Sequence, residues 1–203
     1  MTTPASAMPT TSQADRGWRA SLWNRNPLLF RGLGLTAVLA LGDTLAGAML
    51  AAATVGASAV FATGLTAIAR RLVPPSMRRV VLALGAATAA AAVDRLVALA
   101  AWPIHAQAGI YLQVIAASAF VFDCADRRCE GVREALGSTV RDTTGLSCAA
   151  ALVGAAREIA GHGSLAGIAI AGDGLAALNE PFGALLALAL AAALRNALDA
   201  RRP

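Results

Sequence analysis

The stretch from Leu45 to Ala69 is LAGAMLAAATVGASAVFATGLTAIA, and it contains no charged side chain. An α-helix rises about 1.5 Å per residue, so this stretch would form a helix of about 37 Å. The hydrocarbon core of a bilayer is about 30 Å thick. The stretch therefore predicts a membrane-spanning helix, and the rest of the sequence is interpreted around it.

The composition of the whole chain agrees with a membrane location. Of its 203 residues, 57% are hydrophobic and 14% are charged, and the mean hydropathy is +0.62. Soluble domains contain about 45–50% apolar and about 25% charged residues, and disordered chains are more polar still. Aromatic residues make up 4%, too few for the stacking surfaces of a nucleic-acid reader. We expect a single-domain, all-α integral membrane protein.

Six apolar segments follow one another along the chain, and the lead segment of each half is short. The first and the fourth contain about 14 residues, or about 21 Å of helix, which is less than the thickness of the bilayer core. The fifth could begin one turn earlier, at Ser138. The segments are residues 28–41, 45–69, 80–102, 109–122, 143–156 and 182–198.

The positions of the basic residues predict the topology. All 17 are Arg. If the N-terminus is inside and all six segments cross, 13 lie in cytoplasmic pieces, one lies outside and three fall within the segments. This bias follows the positive-inside rule, so the net charge of +5 does not require a nucleic-acid partner. We expect both termini to be cytoplasmic and residues 1–24 to be a disordered polar tail.

Six crossings divide into two halves of three, residues 26–108 and 109–200, and an odd number of crossings inverts the second half. Short segments at matching places of two halves point to a functional site in inverted-repeat membrane proteins. The predicted fold is therefore six transmembrane helices in two inverted three-helix repeats, with helices 1 and 4 half-spanning. The alternative is that each short segment is an ordinary helix completed by residues assigned to loops.

Four motifs stand on these segments at regular places. They are Asn26-Pro27-Leu28-Leu29 with Leu33-Gly34-Leu35, then Gly109-Ile110-Tyr111-Leu112, then Arg157-Glu158-Ile159-Ala160-Gly161-His162-Gly163-Ser164-Leu165, and Pro181-Phe182. In this order and spacing they resemble the membrane subunits of the Rnf/Nqr family. The resemblance covers about residues 22–200 and is strongest to the E-type component of the Rnf (Rsx) ion-translocating electron transport complex and to NqrD.

The resemblance implies a non-catalytic subunit of a bacterial inner-membrane translocase, paired with a sister six-helix subunit of inverted topology and with other electron transport subunits. In the family, each of the two paired subunits supplies one Cys from each half-helix to a shared iron–sulfur centre. This chain has Thr36 and Ala119 at those positions, and neither offers the soft thiolate that suits iron. We expect this chain alone to bind no cofactor, with the centre lost or held by the partner.

Asp94 is the candidate residue of an ion pathway, because it falls two-thirds of the way along the third segment. An isolated charge inside a membrane helix costs about 2.5–3.5 kcal/mol on insertion scales, so a partner or water is expected. The alternative is that Asp94 and Arg95 lie near the outer end and are satisfied by snorkelling and local pairing. Arg157 and Glu158 are expected to be boundary charges of an outer loop.

The sequence assigns no catalytic residue and no metal site. His105 and His162 are the two His residues, both expected in outer loops, so they do not predict a general base or a zinc site. Cys124 and Cys129 are spaced C-x4-C, for which reduced cytoplasmic thiols are the simpler interpretation.

The alternative function is a small inverted-repeat transporter or a structural scaffold without a redox role.

Overall fold

The computed structural model describes residues 22, 26–69, 72–100, 102, 105–106, 109, 111–116, 118–126, 131–170 and 174–200. The predicted tail, apart from Leu22, lies outside these residues. Short 3-10 turns cover Pro75–Met77 and Ala176–Leu178. The α-helices of the described part are α1 (Pro27–Arg31), α2 (Leu35–Leu41), α3 (Leu45–Ala69), α4 (Arg78–Ala100), α5 (Tyr111–Ala116), α6 (Ala119–Asp126), α7 (Val132–His162) and α8 (Pro181–Ala200).

Three of the described helices are long and apolar enough to cross a membrane. These stretches are Leu45–Ala69, Val80–Ala100 and Pro181–Leu198. The first coincides with the predicted second segment, and α4 and α8 differ from the third and sixth segments by one or two residues at each end. The prediction of a mostly helical membrane protein is confirmed at this level.

The helix that contains the fifth predicted segment is α7, and it is longer than that segment. The prediction covers residues 143–156, whereas α7 contains 31 residues and continues to His162. Its added turns carry the charged residues at positions 133, 134, 141, 142, 157 and 158, whose polarity resembles that of a loop. The helix ends at Gly163, which has a φ of 65° and whose N–H bonds the Ile159 carbonyl at 3.1 Å. Such a left-handed glycine is a common way to end a helix.

Each of the two short segments is a broken helix. In the first, α1 ends at Gly32 and α2 begins after Gly34, and the two glycines have φ values of 66° and 84°. A Cβ at position 34 would also lie 2.7 Å from Leu146 Cδ1, so the Leu146 side chain would have to shift. The fourth segment is interrupted between α5 and α6, beside Ser118. Each of the two short predicted segments therefore contains a helix break, one between α1 and α2 and the other between α5 and α6.

The centre of the molecule is the antiparallel pair of α3 and α7. Ala48 lies against Gly154 near one end of the pair, and the hydroxyls of Thr63 and Thr139 are 3.2 Å apart near the other. Gly56 lies between them, directly against the Thr143 methyl group. Small side chains allow helix backbones to approach closely in membranes, where packing rather than water exclusion drives association.

The outer helices α4 and α8 expose their larger apolar side chains. Five of these leucines are between 62% and 85% exposed: Leu84, Leu96, Leu99, Leu190 and Leu194. A soluble monomer rarely exposes so much contiguous apolar surface. These two helices therefore present surfaces suited to lipid or to another membrane subunit.

The described part departs from an all-helical fold at one hairpin after α7. Strand β1 (Ser164–Leu165) pairs antiparallel with β2 (Ile168–Ala169). The two residues between them, Ala166 and Gly167, have positive φ values of 51° and 80°. Such a pair is typical of tight hairpin turns. The hairpin lies within the region that the sequence predicts to be an outer loop.

Candidate functional site

The two positions at which the family resemblance implies iron ligands lie just after the two helix breaks. Thr36 is the second residue of α2, and Ala119 is the first residue of α6. Both side chains are exposed on the surface of the chain. Each of the two positions therefore lies in the first turn of the helix that follows a break.

The donors at these positions do not fit an iron–sulfur centre. A hydroxyl and a methyl group replace two thiolates, and thiolates are the ligands such centres use. Cys124 is buried in α6, Cys148 is exposed on α7, and Cys129 lies outside the described residues. Among the residues described, no cluster of three or more His, Cys, Asp or Glu could hold a metal.

An ion pair links the two broken helices. Both guanidinium nitrogens at the end of Arg31 donate to the Asp123 carboxylate, at 2.9 and 2.7 Å, and so join α1 to α6. The Arg31 side chain is 46% exposed and that of Asp123 is 21% exposed. Parallel, two-point pairing of this kind is the stronger form of an Arg–carboxylate contact. The sequence prediction does not find this pair, although Arg31 lies inside the first predicted segment and Asp123 directly follows the fourth.

The Asn-Pro motif begins the first broken helix and fixes it to the core. The Asn26 Oδ1 accepts hydrogen bonds from the N–H groups of Leu28 and Leu29, at 3.0 and 3.3 Å, and Pro27 follows as the first helical residue. Its Nδ2 donates to the Gly145 carbonyl of α7 at 2.8 Å. The side chain is thus both a helix cap and a bond to the core.

Arg157 is one of the largest fully buried side chains, at 2% exposure. Its Nε donates to the Leu178 carbonyl at 3.1 Å, and its Nη2 donates to those of Asn179 and Glu180, at 3.1 and 3.3 Å. Its Nη1 reaches the Val38 carbonyl in the last turn of α2, at 3.4 Å. A cation is favoured where carbonyl groups collect at helix ends. Arg157 therefore joins α2, α7 and the turn that leads into α8.

Glu158 is the complementary anion of this framework. It is 4% exposed, and its carboxylate accepts from the Leu45 N–H at the start of α3, at 2.8 Å, and from the Gly167 N–H in the hairpin, at 3.1 Å. The first N–H groups of a helix have no partner within the helix and favour an anion. The prediction that Arg157 and Glu158 are boundary charges of an outer loop is wrong; both are buried in α7 because backbone groups surround them.

Asp94 is buried in α4 with partners from two other parts of the chain. Its Oδ1 lies 2.9 Å from His105 Nε2, and its Oδ2 accepts from Gln113 Nε2 of α5 at 3.3 Å. Arg95 Nε is 3.8 Å from the carboxylate, but the Arg95 side chain is 78% exposed. These partners are compatible both with an ion-pathway residue and with the alternative of local pairing near the end of the helix. His105, expected in an outer loop without a role, belongs to this cluster, and the Trp102 ring stacks on it at 5.5 Å.

The family of the chain follows from comparison with known sequences. Residues 18–198 match the family model described as Rnf-Nqr subunit, membrane protein. The chain belongs to the Rnf-Nqr family.

Three curated relatives are each named as the E component of an ion-translocating oxidoreductase complex. The protein of Shewanella amazonensis is 30% identical over 201 residues, covering 89% of this chain and 85% of the relative. Those of Thioalkalivibrio sulfidiphilus and Shewanella frigidimarina are 27% and 28% identical, covering 88% and 89% of this chain and 86% of each relative.

Membership in the Rnf-Nqr family confirms the resemblance drawn from the four motifs. The structure gives two of these motifs a physical role, since Asn26 caps a broken helix and Arg157 with Glu158 binds the backbone ends of α2 and α3. The sequence prediction finds these residues but assigns them no contacts. It does not identify Gln113 as a partner of Asp94.

Proposed function

We propose that this chain is the E-type membrane subunit of an ion-translocating oxidoreductase complex and assembles with the other subunits of that complex. The observation that carries the proposal is the family match over residues 18–198. The names of the three relatives support it. The exposed leucines of α4 and α8 provide apolar surface on which a sister six-helix subunit of inverted topology can pack.

The proposed membrane arrangement has six crossings in two inverted repeats, in a bacterial inner membrane with both termini cytoplasmic. The first repeat contains α1 to α4, and the second contains α5 to α8. Each repeat begins with a broken helix and continues with two long helices. The equivalent helices α3 and α7 are antiparallel, as inversion requires, since Ala48 lies against Gly154 while Thr63 lies against Thr139.

Within that arrangement, this subunit supplies no ligand to an iron–sulfur centre. Thr36 and Ala119 stand at the positions where ligands are expected, and the Arg31–Asp123 ion pair links the broken helices beside them. The centre is therefore lost from the complex or held by the partner. The buried carboxylate of Asp94 lies on the ion pathway, since an intramembrane ionisable residue is functional by default.

Affinity purification of the tagged chain from its native membrane tests the assembly. In mild detergent we expect the chain to elute in a complex with a second six-helix membrane protein and with flavin-bearing and iron–sulfur subunits, identified by mass spectrometry. A chain that elutes alone would contradict the proposal and favour a small transporter or scaffold. A purification from a strain that lacks the tag is the control for nonspecific binding.

Restoring the two thiolates tests the ligand positions. We expect the double variant Thr36→Cys/Ala119→Cys to raise the iron and acid-labile sulfide content of the purified complex above that of the wild type. Iron–sulfur clusters use four ligands as a rule, and both half-helices must contribute. Each single variant is a matched control and should gain no cluster. Equal iron in the wild type and the double variant would contradict the loss of the centre and favour a centre held by the partner.

A further inference from the structure

The chemistry around Asp94 favours one kind of ion. Its two carboxylate oxygens face nitrogen groups, namely His105 Nε2, Gln113 Nε2 and Arg95 Nε. Hard metal cations such as Mg²⁺ and Ca²⁺ need several oxygen ligands at once. A carboxylate that faces an imidazole at 2.9 Å instead has the geometry for direct proton exchange.

We propose that Asp94 and His105 form a proton-carrying pair and that H⁺ is the ion moved at this site. This inference rests on the proposed function. The step is a proton transfer: protonated His105 gives its Nε2 proton to Asp94 Oδ1, the N–H bond breaks as the O–H bond forms, and both charges disappear. The reverse transfer restores the ion pair, and neither direction needs an oxidant or a reductant.

The exposed fractions of the two side chains indicate the direction in which the pair would carry a proton. The His105 side chain is 19% exposed and that of Asp94 is 5% exposed, so the imidazole lies nearer the surface of the chain than the carboxylate does. His is the side chain whose ordinary titration range lies nearest physiological pH. The Trp102 ring, stacked at 5.5 Å, fixes the plane of the imidazole. His105 is therefore placed between the surface of the chain and the Asp94 carboxylate.

The charged and titratable groups on the elements around the pair are few. Arg95 approaches Asp94 from α4 itself, and α5 contributes Tyr111 together with Gln113, which cannot titrate and orients the carboxylate. The sequence of α3 contains no ionisable side chain. The titratable residues in the sequence of α6 are Asp123, which binds Arg31, and Cys124 and Asp126.

Transport by the reconstituted complex tests the pair. The complete complex is placed in sodium-free proteoliposomes and driven by a soluble low-potential reductant, and proton uptake is followed with an acridine dye. We expect Asp94→Asn and His105→Gln each to lower proton uptake per electron about tenfold or more, since positioned acid–base groups contribute about 10²–10⁴-fold. His162→Gln changes the second His of the chain, which is exposed at the end of α7, and should stay within about twofold of the wild type.

The His105→Gln variant separates a proton carrier from a structural clamp. Glutamine keeps an N–H donor for Asp94 but does not exchange a proton, so undiminished proton uptake in this variant overturns the proposal. The wild-type complex gives a second measurement that needs no variant to fold. Uptake of ²²Na⁺ that continues unchanged with a protonophore, without proton uptake in sodium-free medium, also overturns it. Either result in an intact complex rejects the proton assignment alone, whereas a chain without partner subunits rejects the proposed function.

Discussion

Replacing Arg157 with methionine is expected to lower the free energy of unfolding by about 3–5 kcal/mol. Methionine has a similar unbranched shape but no donors, so the carbonyls of Val38, Leu178, Asn179 and Glu180 lose their shared cation. The carbonyls of Val38 and Glu180 keep the N–H groups of Gly42 and Gly183 as donors, so the cost falls mainly on those of Leu178 and Asn179. Loss of a donor is more costly where lipid excludes water. The measurement is a reversible unfolding titration with sodium dodecyl sulfate, in mixed micelles, on the purified chain.

Two further variants identify the reason for that loss. Arg133 lies on the same helix but is exposed, so Arg133→Met should change the free energy of unfolding by less than about 0.5 kcal/mol. Arg157→Lys keeps the charge but not the planar fork of donors, and its stability should lie between those of Arg157→Met and the wild type. If the free energy of unfolding of Arg157→Met lies within about 1 kcal/mol of that of the wild type, the guanidinium does not join α2 to the turn that leads into α8 as described.

The helices that the sequence predicts best are those whose ends are set by hydropathy alone. Residues 45–69 form α3 as predicted, because no charge interrupts the apolar run. The ends of α7 are predicted wrongly because a charged turn looks the same in sequence whether water or backbone groups surround it. Arg157 and Glu158 are surrounded by backbone groups from α2, α3 and the turn before α8, and only the fold brings these together.

The candidate site also has features that the sequence predicts and features that it does not. The cost of a buried charge predicts that Asp94 has a partner, and the resemblance to the Rnf-Nqr family identifies Thr36 and Ala119 as the expected ligand positions. The sequence pattern does not identify which side chain pairs with Asp94. His105 and Gln113 are 11 and 19 residues away in sequence, so only the three-dimensional structure shows that they are the partners.

Replacing Gly56 with alanine is expected to destabilise the pair of α3 and α7 by about 1–3 kcal/mol, which is the usual cost of overpacking a core. A Cβ at position 56 would overlap the Thr143 Cγ2 methyl group on the facing helix. The matched control is Gly64→Ala on the same helix, where the nearest atom to the new Cβ is a Leu136 methyl group at 3.7 Å. That control should be neutral or slightly stabilising, because alanine favours helix more than glycine does.

A second change on the facing helix should restore the stability. Thr143→Ser removes the Cγ2 methyl group and leaves a hydroxyl, so the double variant Gly56→Ala/Thr143→Ser should recover most of the loss. In a double-mutant cycle this appears as a favourable coupling between the two positions of about 1 kcal/mol or more. Additive effects of the two substitutions would mean that α3 and α7 do not meet at Gly56, and the antiparallel register that supports the inverted repeat would then be wrong.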